Sequence, residues 1–143
     1  MFGKLLSTQN DFSLLILRVL FGAVMWPHGA QKLLKMFGGY GFDGTMGFLQ
    51  GLGLPWVIAF LVILIEFFGS IALVLGFFTR LMALGFISVM VGGAYILHHS
   101  FFVGKYGYGY EYHIIAIAIC LVLLIKGGGM ASVDGMIAKK LRS

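Results

Sequence analysis

PWVIAFLVILIEFFGSIALVLGF, residues 55–77, carries one ionisable side chain, Glu66, in 23 positions. A helix needs about 20 mostly apolar residues to cross the hydrocarbon core of a bilayer. In that medium every backbone N–H and C=O must be satisfied within the segment, so the stretch reads as a transmembrane helix. Pro55 suits its first turn, where a missing N–H costs nothing. Working outward, no charge falls between Asp43 and Glu66, and none between Arg80 and Lys105. The pattern predicts spans over about 12–30, 55–77, 81–97 and 110–125. Pro27 is expected to kink or end the first span, and Gly127-Gly128-Gly129 to stop the fourth. The tail over 132–141 reads as a short interfacial helix with Lys139, Lys140 and Arg142 toward headgroups.

The composition agrees. The chain is 60% hydrophobic and 10% charged, with mean hydropathy +1.01, whereas a soluble domain carries about 25% charged residues. The expected fold is therefore all-α, a single domain over 1–143 forming an integral membrane four-helix bundle, multi-pass in a plasma membrane with the bilayer as its first partner. A soluble enzyme is excluded. The net charge of +5 raises nucleic acid as a partner, but the cations sit at helix ends without interleaved base-stacking aromatics. Lys4, Arg80, Lys126, Lys139, Lys140 and Arg142 fall on one side, and Lys32, Lys35 and Lys105 on the other. The positive-inside bias then places both termini in the cytoplasm. The N-terminus has the outline of a signal peptide, but Arg18 interrupts the apolar stretch and Met25-Trp26-Pro27-His28 is too bulky for a cleavage site, so a retained first helix is expected.

The two connections on the external side, from about Gln31 to Leu54 and from Gly104 to Tyr110, are rich in glycine and aromatic residues. Tyrosine and tryptophan favour the membrane interface. The same composition can also fold over the mouth of the bundle and wall a pocket.

Ionisable residues inside a span are costly and face a partner or a cavity. Arg18 and Glu66 are the two in question, at levels that differ by about 8 Å at 1.5 Å per residue. They are expected to form a buried Arg18–Glu66 pair, with Glu66 and Arg18 also the candidate catalytic groups for proton exchange. A second cluster gathers externally: His28, Lys32, His98, His99, Tyr110, Glu111 and His113, with Tyr95 and Tyr112 close by. All four histidines map to that face from three separate helices. Neighbouring His98 and His99 point about 100° apart, so only one easily faces the bundle. In the first span Arg18, Met25, Gly29 and Lys32 share a face.

A quinone headgroup needs a donor to each carbonyl, an aromatic or apolar slot and a route from lipid, all of which this face offers. Haem ligation between His28 and His98 or His99 is less supported. A copper or zinc site from His28, His98 and His113 lacks any His-x-x-x-His spacing. Cys120 has no partner cysteine, so no disulfide within the chain and no multi-cysteine metal site can form.

Short motifs in order resemble the DoxX family of small membrane proteins over nearly the whole chain: Leu17-Arg18, His28-Gly29 with Gln31-Lys32-Leu33, Phe37-Gly38-Gly39-Tyr40-Gly41, Gly47-Phe48 through Gly53-Leu54-Pro55, Glu66-Phe67-Phe68-Gly69, Gly76-Phe77-Phe78-Thr79-Arg80 and Gly109-Tyr110-Glu111. The resemblance implies a four-helix membrane bundle related to the membrane subunit of thiosulfate:quinone oxidoreductase. It marks Arg18, His28, Lys32, Glu66, Arg80 and Glu111 as family-pattern positions. With one cysteine and no Cys-x-x-Cys, the chain is expected to act with a redox partner subunit; a homo-oligomer is the other expected assembly, because one four-helix bundle encloses little volume. The leading expectation is a membrane redox component that binds quinone or docks a partner externally. The alternatives are a small oligomeric transporter built on the Arg18–Glu66 pair, and a non-catalytic structural or assembly subunit.

Overall fold

The computed structural model describes residues 2–97, 100–102, 109–141 and 143. After one helical turn at Phe2–Leu5 (α1), the first long helix, α2, runs over Phe12–Leu34. Asp11 caps it, its carboxylate accepting from the Ser13 N–H at 2.7 Å. α2 does not stop at Pro27 but continues seven residues further. Beyond the proline, buried Gly29 and Ala30 hold it against its neighbour, so packing outweighs the one hydrogen bond that proline removes. α2 closes where Lys35 enters the left-handed region, its N–H donating to the Ala30 carbonyl.

The glycine- and aromatic-rich connection before the second span contains an 11-residue helix, α3, Gly41–Gly51. Phe42, Thr45, Met46 and Leu49 recur at helical spacing, and this face packs on Ala59 and Ile63 of the next helix. α4 spans Trp56–Leu75. Its middle, Ile65–Gly69, is a π-turn. Gly76 ends α4 with φ +69°, and a Cβ there would lie 2.5 Å from Ser132 Cβ and 3.0 Å from Arg18 Cζ, so both conformation and packing call for glycine.

α5 covers Thr79–Leu97, and α6 covers Glu111–Lys126. These two pack along their length through Ala83, Phe86 and Met90 against Ala116, Cys120 and Leu123, and Phe21, Met25 and Leu73 complete the core. Cys120 is buried within it. Among the described residues α2, α4 and α5 are long and apolar enough to cross a membrane. α6 has 16 residues, about 24 Å at 1.5 Å per residue, and packs beside them.

Both ends of the chain meet the α4–α5 turn at one end of the bundle. Gln9 N–H donates to the Lys126 carbonyl, and Met130 N–H to that of Asp11. The short helix α7, Val133–Lys140, is capped by Ser132. It is anchored to the bundle. Asp134 is 2% exposed, and its carboxylate accepts the N–H groups of Phe78 at 2.7 Å and Thr79 at 2.8 Å, which caps α5.

Arg18 belongs to this end too, and here the expected Arg18–Glu66 pair is overturned. The guanidinium is 1% exposed and donates to five carbonyls. Nε reaches Gly128 at 2.7 Å, Nη1 reaches Leu73 at 3.2 Å and also Val74, and Nη2 reaches Met130 at 3.1 Å and Ala131 at 2.9 Å. These carbonyls lie at the end of α4, where Leu73 also accepts the Gly76 N–H, and in the glycine turn after α6, places where a helix ladder leaves acceptors to fill. Arg80 does a similar service, donating to the carbonyls of Leu124 and Ser7.

Candidate functional site

Gly22 and Gly29 set the register between α2 and α4. A Cβ on Gly29 would stand 2.5 Å from the backbone of Glu66 and Phe67, and one on Gly22 2.6 Å from the Ser70 carbonyl. With the backbones this close, Arg18 lies level with Leu73 and Val74. That is about eight residues, or about 12 Å, along α4 from Glu66. Lys32, one turn beyond Gly29 on the same face, is the residue that meets Glu66. Its Nζ lies 2.5 Å from Glu66 Oε2, with the two side chains 28% and 7% exposed.

Glu66 projects from the π-turn, a feature often found where a helix carries a functional residue. The Ser70 hydroxyl donates to the Glu66 carbonyl, supplying a partner where the ordinary ladder is interrupted. The sequence reading had Lys32 on the right face of α2 but assigned it to the external cluster alone. The Arg18, Met25, Gly29, Lys32 stripe contained the answer, but choosing between its two cations required the helix register.

The pair lines a cavity of about 760 Å³ between α2, α4, α5 and α6. Its walls are mainly apolar, with Leu49, Leu52 and Leu54 of the first connection among them, so that connection does wall a pocket. The polar lining comprises His28, Lys32, Glu66, Ser88, Tyr112 and His113. His28 stacks on Tyr112 with ring centroids 6.2 Å apart and an interplanar angle of 24°. The Tyr112 hydroxyl points at Met25 Sδ, 3.5 Å away. His113 is 7% exposed and lies beside Gly93, whose Cβ would stand 3.4 Å from Nε2.

The cavity has a side entrance. The π-turn and the Ser70–Leu75 segment of α4 pack on α5, whereas Trp56–Leu64 packs on α2 and α3. The gap left between α4 and α5 is rimmed by exposed Ile58, Leu61 and Ser88.

Of the residues expected externally, His28, Lys32 and His113 therefore converge, and Glu66 joins them from the other expected cluster. Tyr110 and Glu111 do not line the cavity. Tyr110 packs its ring on Phe101, with centroids 5.6 Å apart, and the Glu111 N–H donates to the Phe101 carbonyl. Tyr112, the next residue after Glu111, faces the cavity instead. His98, His99, Lys105 and Arg142 lie outside the described residues, and with them the His98 part of the haem and metal readings. Among the described residues no three His, Cys, Asp or Glu side chains come together as a metal site.

The DoxX family profile matches residues 13–99, which takes in α2 to α5. The chain belongs to the DoxX family. Among curated relatives, this DoxX protein is 29% identical to Inner membrane protein YqjF of Escherichia coli over 131 residues, covering 92% of this chain and 96% of the relative. It is 36% identical to Inner membrane protein YphA of the same organism over 88 residues, 60% of this chain and 59% of that one. A third match, at 29% over 82 residues and 57% of each chain, is the Bacillus subtilis protein named "Putative oxidoreductase CatD". No solved structure matches. The apolar helices and these relatives make the chain a membrane protein, as its composition required.

Proposed function

We propose that this DoxX protein is a membrane component of a redox system, and that it binds a quinone headgroup in the α2/α4/α5/α6 cavity. The observation that carries this reading is the Lys32–Glu66 pair in the wall of a mainly apolar cavity that opens sideways between two helices. A quinone enters from lipid, so its site needs a lateral entrance rather than an aqueous one. Its ring needs a flat apolar slot, and the stacked His28 and Tyr112 rings offer an aromatic edge. Each carbonyl needs a donor, and the Lys32 ammonium and a histidine ring can serve.

Reduction of the bound quinone to quinol takes two electrons and two protons. On this reading a redox partner docked at the end of the bundle away from the termini supplies the electrons. Lys32 gives each proton to the reduced quinone and regains one from water by way of Glu66, so the pair's charges are compensated again before the next transfer. The redox assignment draws on the name carried by the Bacillus subtilis relative. The same reading has α6 crossing the bilayer as the fourth span, with the end that holds both termini in the cytoplasm. A C-terminal reporter that is active only in the cytoplasm should therefore be active.

Gently purified protein should yield quinone in a lipid extract analysed by mass, and should bind an added short-tailed quinone as read by tryptophan fluorescence. Lys32→Met and Glu66→Gln should each weaken that binding at least about tenfold, the ratio for about 1.4 kcal/mol. Lipid-replete protein without quinone, and without a response to added quinone, would sink the proposal.

A further inference from the structure

A second concavity, about 450 Å³ in volume, runs along the lipid face between α4 and α5. Its lining includes Phe68, Gly69 and Ala72 of α4, Phe78 of the turn and Met82 of α5, and no polar side chain. Ile65 is the residue it shares with the headgroup cavity, so the two adjoin at the π-turn, on either side of an Ile65 side chain that packs toward Gly85 of α5. From Ile65 to Leu75 the groove follows about 15 Å of helix. It leads away from the Lys32–Glu66 pair, toward the α4–α5 turn.

From this adjacency we infer that the ligand of the cavity is a long-tailed quinone, and that its isoprenoid tail leaves by the side entrance and lies in the α4–α5 groove. The inference rests on the quinone reading above and specifies it further. A headgroup seated against Lys32 and Glu66 must send its substituent out through an opening. The side entrance is bordered by Leu61, Ile65 and Ser88, and the groove begins at Ile65. Without polar lining the groove can accept hydrocarbon and cannot hold a second polar group, which disfavours a small hydrophilic solute moving the same way. The groove faces lipid, so hydrocarbon gains little by leaving acyl chains for it. The gain expected is therefore one of fit and guidance, a modest rise in affinity with tail length.

The test uses full-length protein in nanodiscs and two probes. One is a quinone without a tail, and the other has the same headgroup, a tail of a few isoprene units and a photoactivatable diazirine at the tail's end. On illumination the tailed probe should label residues 64–82 selectively, and excess tailless quinone should abolish the labelling. Ala72→Phe, which fills the groove far from the headgroup cavity, should weaken tailed-probe binding about three- to tenfold and leave tailless binding unchanged.

Labelling spread over all lipid-facing helices, yet still competed by tailless quinone, would overturn the tail inference alone. Groove labelling that tailless quinone does not compete would make the groove a general acyl-chain site and would overturn it equally. Failure of the tailless quinone to bind the wild-type protein would instead remove the quinone reading itself. The labelling pattern is read on wild-type protein, so it decides the matter even where Ala72→Phe fails to fold.

Discussion

Removing the Arg18 guanidinium should destabilise the fold through loss of carbonyl partners, with no dependence on Glu66. Arg18→Met keeps the length and apolar stem but deletes five donated hydrogen bonds. Side-chain hydrogen bonds inside membrane proteins average about 0.6 kcal/mol, which gives about 3 kcal/mol for the set. At about 1.5 kcal/mol each, the lower end for a charged donor, the figure is about 7.5 kcal/mol. Met130 and Ala131 are exposed, so water can replace the guanidinium at their carbonyls. That favours the lower half of the range, about 3–5 kcal/mol. Arg18→Lys keeps the charge but offers three donors from one point in place of a planar fork, and should cost about 1–3 kcal/mol by the same per-bond values. The assay is equilibrium unfolding in bicelles or by steric trapping. A double-mutant cycle with Glu66→Gln should give a coupling energy near zero, as expected for groups without a shared partner. Arg18→Met within about 1 kcal/mol of wild type, or rescue of Arg18→Glu by Glu66→Arg, would refute the reasoning.

Three further outcomes follow from the packing. Gly29→Val should force α2 and α4 apart, because even a Cβ would overlap the Glu66–Phe67 backbone. The expected cost is at least about 1–3 kcal/mol, with loss of short-tailed quinone binding as the pair separates; a variant of unchanged stability would contradict the register. Asp134→Ala removes both acceptors that cap α5 and should lower stability by about 0.5–2 kcal/mol. Limited proteolysis should then cut between α6 and α7 sooner than in wild type, and equal rates would count against the anchor. Cys120, fully buried in the core, should resist a membrane-permeant maleimide until the bundle is unfolded. Rapid labelling of native protein would show the core to be placed wrongly.

The long helices were legible because a bilayer imposes its thickness on sequence. Uninterrupted apolar runs beside Glu66 and Arg80 fixed α4 and α5 to within a residue or two. α3 was missed although its signal was present. Phe42, Thr45, Met46 and Leu49 have helical spacing, but five glycines between Gly38 and Gly47 read as loop chemistry. What overrides their low helix propensity is the hydrophobic face docked on α4. The site was half legible. His28, Lys32, Glu66 and His113 were each singled out, yet Glu66 was given to Arg18. Depth counted from helix ends is uncertain by more than a turn, and one turn changes which cation a carboxylate meets.

The sequence by itself determined that this is a helical membrane protein, where its long helices lie, and which polar residues inside it need a partner. Those are consequences of transfer free energy, which depends on composition over a window of residues. Only the tertiary structure decided the partners. The close approach of Gly22 and Gly29 to α4 sets the register, and the π-turn and that register together give Glu66 to Lys32. The glycine turn after α6 brings its carbonyls to Arg18. Each of these depends on the relative placement of distant segments to within an ångström or two, which no local pattern encodes.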